Sequence, residues 1–527
     1  MTDQTAQQTL IAALLDPGRY PHPAKKVRLV ETHISWVMLA GRYAYKIKKA
    51  LDLGFLDYTT LEARRFYCSE EMRLNRRLAP QLYLDVMPIG GSPDRPQFDA
   101  RPAIEYAVKM RRFPSTRLMD RMLQAGKIGP QHIDSLAATL ARFHNALPAI
   151  AADSGDGSVE SIRDAAMQNF ETQRSLMGDE ADASALDALQ QATIAAYEAG
   201  KPLFVERRAQ GFVRECHGDL HLGNIVLIGD EPVPFDGIEF NPDLRWIDVM
   251  SEAAFTMMDL LYRQQPHMAF RFINGYLEAT GDYAGVAVLR YYLAYRATVR
   301  AKVGAIRARQ PGLSRRAREN ESSHCRSHLA LAMQCLTQLR PALIITHGLP
   351  GSGKSTFAQM ALERFGAIRI RSDVERKRLF GLDALDSSRS GAGAGIYGAD
   401  ATRKTYARLR QLAHDLLAAG FPVIVDAAFL RQEERNRFHE LAQGMGVPFI
   451  IASIQAGESA MRTRIVQRHA QQQDASEAGL AVLKLLQNAQ ERLAAPELAH
   501  MAEFSNGNMD ELANSRGWDK LKNLWKR

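Results

Sequence analysis

The sequence predicts two domains in tandem, an α+β front part and an α/β back part, and three observations carry that expectation. The first is an early alternation of apolar and polar residues. Trp36 to Leu39, then Gly41, then Tyr43 to Ile47 has the period of two expected of a hairpin. The second is a change of period. From residue 119 onward, apolar positions recur at helical spacing over 133–147, 185–199, 248–262, 270–280 and 289–305. A small sheet followed by a larger helical part is a two-lobed plan. The third is a further change after Pro341. Apolar runs at 343–346, 367–370, 422–425 and 448–454 alternate with helical patterns that include 401–419 and 432–443. That alternation predicts a doubly wound parallel sheet.

The remaining elements follow in order. Residues 61–78 have helical spacing, and 104–110 form an apolar strand pattern. The stretch 90–102 (GGSPDRPQFDARP) reads as a long turn between strands. Residues 151–158 are small and polar, a loop; 310–314 (QPGLS), with Pro311 and Gly312, break a helical region; 387–398 (SSRSGAGAGIYG) is a glycine-rich stretch. A helical pattern at 328–339 gives way to an apolar run at 342–346. The expected domains are therefore 1–335, with a small lobe at about 25–110 and a helical lobe at about 111–335, and 341–527.

At 527 residues, with 46% hydrophobic and 24% charged residues, the composition excludes a collagen-like or mainly disordered chain. No stretch has the roughly 18 consecutive apolar residues of a membrane helix. The first fifteen residues carry Asp3 and no Lys or Arg, so a signal peptide is not expected and the cytoplasm is. Cys68, Cys216, Cys325 and Cys335 lack CxxC spacing, which excludes a disulfide scaffold and gives no zinc signature. Part of the net charge of +8 lies in 296–326, where nine Lys/Arg face only Glu319 and Glu321. Such a run attracts phosphates. With no aromatic residue after Tyr295 it offers no stacking platform for nucleic acid. An inter-domain helix and loop is the expectation, and a small-molecule acceptor is favoured over nucleic acid.

Gly348 to Ser355 fits G-x-x-x-x-G-K-[ST], after an apolar strand and before a helix. In that context the glycines turn backbone N–H groups onto phosphate oxygens, and the helix N-terminus adds positive charge. Gly348, Gly351, Ser352, Gly353, Lys354, Ser355 and Thr356 are the candidate ATP contacts, with Lys354 on the β- and γ-phosphates and Ser355 on Mg²⁺. Asp373 follows the second strand, where a carboxylate can accept the proton of an acceptor hydroxyl. Asp426 ends the third strand as a Walker-B-like acid. Arg462, Arg464 and Arg468 recur on the helix after the fourth strand, where a lid arginine would cover the transferring group; Arg464 is the chosen candidate.

His217, Asp219 and Asn224 fit H-x-D-x-x-x-x-N, and Asp236 lies twelve residues further on. Kinase chemistry needs one Asp beside the acceptor hydroxyl and an Asn and a second Asp on Mg²⁺. A metal site built on His217 and His221 is the competing reading. Upstream, Lys46 lies on a strand and faces inward if Tyr45 and Ile47 point outward; Lys48 shares its face. Glu71 is preferred over Glu70 as its helix partner, because Leu74 and Leu78 continue its face.

The pieces GLPGSGKST, SDVERKR, VIVDAAF and RTRIVQRHAQQQDASEA, across about 341–498, resemble the predicted-kinase branch of the P-loop phosphotransferases, akin to polynucleotide and zeta-toxin-like kinases. That resemblance implies Asp373 as acceptor-side base and Arg376 as a substrate contact. AYKIKK, CSEEMRLNRRLAP, EYAVKMRRFP, ARFHNAL, ECHGDLHLGNIV and PFDGIEFN, across about 27–300, resemble the aminoglycoside-phosphotransferase-like kinases, a bilobal protein-kinase-like fold. By that resemblance Asp219 is the catalytic base, Asn224 and Asp236 are the Mg²⁺ ligands, Lys46 is the phosphate contact, His217 orients the loop, 104–110 is the hinge and Asp248 is structural. The turn 31–35 has no glycine, so the glycine-rich loop of protein kinases is missing. The whole chain resembles a bacterial family fusing both units, the bifunctional aminoglycoside phosphotransferase/ATP-binding proteins. The resemblance implies two ATP- and Mg²⁺-dependent kinase units. The alternatives are a P-loop kinase with a regulatory front half and a nucleic-acid-modifying protein.

Overall fold

A computed structural model describes residues 3–54, 56–176, 180–310, 312–337, 340–391, 394–471 and 474–526. Pro311 of the expected breaker, the end of the 328–339 pattern, Ala392 and Gly393 of the glycine-rich stretch, and Gln472 and Gln473 of the lid segment lie outside the described residues. The chain divides into two compact units, one of residues 1–168 and 204–259, the other of 169–203 and 260–527.

The first unit contains a six-stranded antiparallel sheet in the order Val27–Glu31, Ser35–Ala40, Tyr43–Lys48, Ala103–Arg111, Tyr83–Ser92, Arg95–Phe98. The expected hairpin pairs Val37 with Lys46 and turns at Gly41, whose φ of +56° is open to glycine. Any Cβ there would lie 2.8 Å from the Pro23 carbonyl. The helix Leu61–Asn75 starts where Thr60 Oγ1 accepts the Ala63 N–H at 3.1 Å. Both faces of the central strand are covered. Tyr45 and Ile47 pack under Leu10, Ile11 and Leu14, from the helix Asp3–Ala13 and the turn after it, while Ala44 packs with Cys68 and Met72 of Leu61–Asn75. Tyr45 and Ile47 therefore do not point to solvent, as the alternation suggested; a helix the alternation does not announce buries them. The stretch 90–102 is likewise more than a turn. Its backbone groups pair as the hairpin of Tyr83–Ser92 and Arg95–Phe98.

In the second unit five parallel strands run in the order Ile368–Arg371, Val423–Asp426, Leu343–His347, Phe449–Gln455, Met501–Ser505. Four are the expected ones; the fifth, Met501–Ser505, adds Ala502 and Phe504 to a core with Phe357, Ile424 and Trp518. The helices Pro266–Thr280, Val286–Ala308 and Arg315–Thr337 belong to this unit. The last two pack on each other, and the basic run spans their junction with Arg315, Arg316 and Arg318 exposed.

Edge strand Ile368–Arg371 is closed by side chains rather than by another strand. The Asn274 carboxamide donates to the Ala367 carbonyl at 2.9 Å and accepts the Arg369 N–H at 2.7 Å, as a neighbouring strand would. Glu278, one turn on, pairs with Arg369 at 3.0 Å and Arg371 at 2.8 Å. Burial raises the Glu278 carboxyl, but the two arginines outweigh that and hold it below the ordinary value.

Candidate active sites

In the first unit the strand Tyr43–Lys48 and the helix Leu61–Asn75 bring a cation ladder onto carboxylates. Lys46 Nζ lies 2.8 Å from Glu71 Oε1 and 2.7 Å from Asp236 Oδ1. Two residues on, and so on the same strand face, Lys48 Nζ lies 2.8 Å from Glu71 Oε2 and donates to Glu239 Oε1. Tyr58 OH donates to the same Glu239 oxygen at 2.7 Å. Glu71 is fully buried, whereas Glu70 turns to Arg73 at the surface. Burial alone would lower the Lys46 ammonium; Asp236, Glu71 and Glu239 outweigh it and hold its pKa well above the ordinary lysine value. Partial desolvation raises the Asp236 carboxyl, and Lys46 more than reverses the effect, holding it below the ordinary value.

Asp236 has φ +64°, a conformation Asp tolerates better than most residues. The surroundings hold it there. Its N–H donates to Tyr83 OH at 3.1 Å, and the next N–H, of Gly237, donates to Asn75 Oδ1 at 2.7 Å. His217 Nε2 lies 2.9 Å from the Phe235 carbonyl, and His217 Nδ1 accepts the Asp219 N–H at 3.3 Å, so this imidazole ties the two loops together. Asn224 donates its NH₂ to Asp219 Oδ2 at 2.8 Å and to the Asp219 carbonyl at 3.0 Å, which leaves its own oxygen as a donor to a cation. The loop 217–224 is also braced from the helix Val249–Tyr262. Glu252 accepts the Gly218 N–H at 2.6 Å, Thr256 donates to the Leu220 carbonyl at 2.8 Å, and Asp259 accepts the Leu222 N–H at 2.9 Å. These positions are spaced to share one helix face. Asp248 takes the Arg207 fork at 2.7 and 2.8 Å. The oxygen donors Asp219, Asn224 and Asp236 suit a hard divalent cation, and the Asp236 side chain stays 46% exposed. His217 and His221 instead spend their Nδ1 atoms on the Asp219 and Gly223 N–H groups. Among the described residues the close metal-ligating group is His144, Cys216 and Glu252, buried, with His144 Nε2 2.9 Å from Glu252.

In the second unit the glycine run sits between the strand Leu343–His347 and the helix Lys354–Phe365. Gly351 has φ +80° and Gly353 φ +97°. A Cβ at Gly353 would lie 1.8 Å from Asn506 Nδ2, which donates to the Ser352 carbonyl at 2.8 Å. Glycine is therefore required there twice over, by backbone conformation and by contact. Lys354 Nζ donates to the Leu349 carbonyl at 2.9 Å. Burial lowers its pKa to about 8, against the opposing charges of Asp426 and Asp373. Those charges bring both predicted acids near Lys354. Among the described residues, Ser352 Oγ and Asp426 Oδ2 are buried without hydrogen-bond partners, as fits a site made for phosphate and a cation. Behind the loop His347 Nδ1 lies 3.1 Å from Ser453 Oγ, and burial lowers its pKa to about 4.

The three lid arginines separate. Arg462 pairs with Glu458 at the surface. Arg464 donates to the carbonyls of Gly351 and Asn506 at 3.2 and 2.9 Å, gripping the phosphate loop through its backbone. Arg468 donates to the Ala478 carbonyl at 2.7 Å, and its charge lowers Lys354. Asp373 opens the helix Ser372–Leu379, and Arg376, buried, donates to the Ile396 carbonyl at 2.9 Å.

Sequence reasoning missed the braces Glu252, Thr256 and Asp259, the clamps Asn75 and Tyr83, and Asn506. For the first three a signal existed, polar residues at helical spacing in an apolar segment. For Asn506 none did.

Residues 104–289 match the family described as "Phosphotransferase enzyme family", and 343–493 match one described as "AAA domain". The chain thus carries a phosphotransferase-family, protein-kinase-like domain and a P-loop kinase domain in one polypeptide. A relative from Mycobacterium tuberculosis (strain ATCC 25618 / H37Rv), itself described as uncharacterized, is 29% identical over 450 residues, 85% of this chain and 87% of that protein. Among solved structures, an amicoumacin kinase in complex with AMP-PNP, Ca²⁺ and Ami is 13% identical, covering 62% of this chain and 93% of its own, with a TM-score of 0.39. A kinase from Chloroflexus aurantiacus, described as putative, is 19% identical, covering 36% and 98%, with a TM-score of 0.29. Kinase-type domains at both ends support phosphotransferase chemistry. Among the described residues no helix is long and apolar enough to cross a membrane.

Proposed function

We propose that the chain has two ATP-dependent phosphotransferase sites, each moving the γ-phosphoryl group of ATP to a hydroxyl of a small-molecule acceptor. The observation that carries the reading is the Lys46 bridge. A strand lysine, a helix acid 25 residues away and a loop acid 190 residues away meet within 2.8 Å, beside an Asp219 already oriented by Asn224 and His217. In each site the acceptor oxygen forms a bond to the γ-phosphorus as the bond to the β–γ bridging oxygen breaks, and the electron pair leaves with ADP. The hydroxyl proton goes to Asp219 in the front unit and to Asp373 in the back unit. Lys46 and Lys354 bind phosphate, Glu71 orients Lys46, and the glycine run with Thr356 cradles the back nucleotide. Asn224 and Asp236, and in the back unit Ser355 with Asp426, would hold Mg²⁺, which supplies neutralisation of phosphate charge when bound. Arg464 acts on the nucleotide through the loop it grips. The two domains of this reading are 1–335 and 341–527, and a reducing cytoplasm accords with four buried free thiols.

A second reading, a P-loop kinase with a non-catalytic front module, is favoured by one observation: Asp236, the candidate metal ligand, is ion-paired to Lys46. ATP turnover against a metabolite pool decides between them. Asp219→Asn should retain nucleotide and lose roughly 10²–10⁴-fold in the front activity, while Lys354→Ala removes only the back one. If Lys354→Ala removes every phosphotransfer and Asp219→Asn none, the second reading replaces the first.

A further inference from the structure

At the border of the parallel sheet two opposite charges face each other across neighbouring strands. Arg371, the last residue of Ile368–Arg371, is in register with Asp426, the last of Val423–Asp426. Adjacent strands lie about 5 Å apart, and an arginine beside a carboxylate at that spacing ordinarily closes a hydrogen-bonded fork on it. Here the fork does not close. Arg371 Nε stops 3.9 Å from Asp426 Oδ2, too far for a hydrogen bond. Among the described residues that oxygen is buried with no hydrogen-bond partner. A buried carboxylate oxygen left unmet is unfavourable and persists where something else requires it.

The guanidinium is held elsewhere. Its two terminal nitrogens donate to Glu278 Oε1 at 2.8 Å and Asp474 Oδ1 at 2.7 Å. Asp474 follows the lid helix Glu458–Gln471, whereas Glu278 comes from the helix Pro266–Thr280. Glu278 is itself fixed from three sides. Its second carboxylate oxygen accepts from Arg369 at 3.0 Å, its carbonyl accepts from Arg378 at 2.6 Å, and Asn274, one turn back, pins the helix to the edge strand. Arg369 and Arg371 are two residues apart and share a strand face, so one carboxylate reaches both. All these residues lie in the second unit. Glu278 nevertheless falls in 104–289, the stretch matched by the phosphotransferase family, and outside the 343–493 match that carries the P-loop.

On the reading of Asp426 as a ligand of the divalent cation, on which this rests, we infer that Glu278 is a positioning residue of the P-loop site. Together with Asp474 it anchors Arg371 off Asp426 and keeps that carboxylate open to the cation. The anchoring acts in two ways. The guanidinium cannot turn its fork onto Asp426, and its charge is already met by two carboxylates, so it repels an incoming Mg²⁺ only weakly. Once Glu278 is neutralised, the freed nitrogen swings to Asp426, the pair closes to hydrogen-bond distance, and the carboxylate is capped by an arginine. The P-loop site therefore depends on a side chain from outside the segment that bears its motifs.

The test uses the full chain. AMP-PNP is titrated by calorimetry at constant ionic strength, once with Mg²⁺ and once with metal removed by EDTA. The binding component that disappears in Lys354→Ala belongs to the P-loop. Its gain in affinity on adding Mg²⁺ should shrink by about tenfold or more in Glu278→Gln, with metal-free affinity unchanged. Asp474→Asn changes a side chain that is 32% exposed; it should give a smaller loss of the same kind and decides the matter if Glu278→Gln does not fold. Adding Arg371→Met to either variant should restore most of the Mg²⁺ gain, because the capping cation is gone. A merely structural role predicts the opposite, a double variant worse than the single one. The inference falls if Glu278→Gln and Asp474→Asn both keep the parent's Mg²⁺ gain, if metal-free affinity drops as much, or if Arg371→Met restores nothing. Asp426→Asn is titrated in parallel. If it keeps the Mg²⁺ gain, the reading of Asp426 as metal ligand fails; if it loses the gain while Glu278→Gln and Asp474→Asn keep it, only the present inference does.

Discussion

In the front unit the cations facing the candidate site are closed on carboxylates: Lys46 on Glu71 and Asp236, Lys48 on Glu71 and Glu239. In the P-loop unit Lys354, Arg376, Arg464 and Arg468 are held by carbonyls and a hydroxyl. The difference teaches how each site is kept in shape without its ligand. The front site is ordered by its own opposite charges, and Lys46 must share Asp236 before that carboxylate can serve a metal. The back site stores unbalanced positive charge in a backbone cage, and a polyanion completes it.

Opposite stability effects break or sharpen this comparison, and they are the largest expected. Glu71→Ala strips a shared carboxylate from two buried lysines and should cost about 3–5 kcal/mol, read from the urea transition of the front unit. Lys354→Met removes a cation that has no carboxylate partner, so nucleotide-free protein should be as stable as the parent or more so. Equal destabilisation by both would erase the distinction.

Protonation gives a smaller effect of known sign. Lys354 has a pKa of about 8 in the free protein, and only its charged form attracts phosphate. Below pH 8 the ammonium is present and affinity is flat. Above it, binding must take up a proton, so AMP-PNP affinity at the P-loop should fall by up to about tenfold per pH unit. Calorimetry in buffers of different ionisation enthalpy reads that proton directly. The front unit, whose Lys46 is held well above the ordinary lysine value, should show no such uptake.

The smallest effect is expected at the helical junction. Arg315, Arg316 and Arg318 are exposed, and Arg315 pairs with Glu319 at 2.8 Å, a contact that contributes about 0–1 kcal/mol. Reversing the three charges should leave both activities within a few-fold. Tight RNA binding by the parent that is lost on reversal would contradict this.

The parts of the fold legible in the sequence were those with local signals. The alternation at 36–47 and the glycine run each carry their geometry within a dozen residues. Met501–Ser505 and Asp3–Ala13 were missed although turn residues follow both, Asn506-Gly507 and Asp16-Pro17-Gly18. Period alone also could not separate Lys46 from Lys48, since both lie on one strand face; in the fold they divide Glu71 between them. The contact of Asn506 with Ser352, 154 residues apart, leaves no local trace at all. Polar residues on the apolar helix Val249–Tyr262 were visible but say nothing, in sequence, about which loop they brace.

Asn274 closes the exposed border of the parallel sheet with two hydrogen bonds to its main chain, yet it belongs to the stretch matched by the phosphotransferase family. The two family-matched segments therefore share one packed unit rather than merely follow one another. A gene cut at residue 340 would yield a P-loop half whose outer strand has lost its cover, sticky toward other copies and prone to precipitate. Recombination that exchanged one half for a distant homologue would face the same barrier, so the pair is expected to be inherited as a unit.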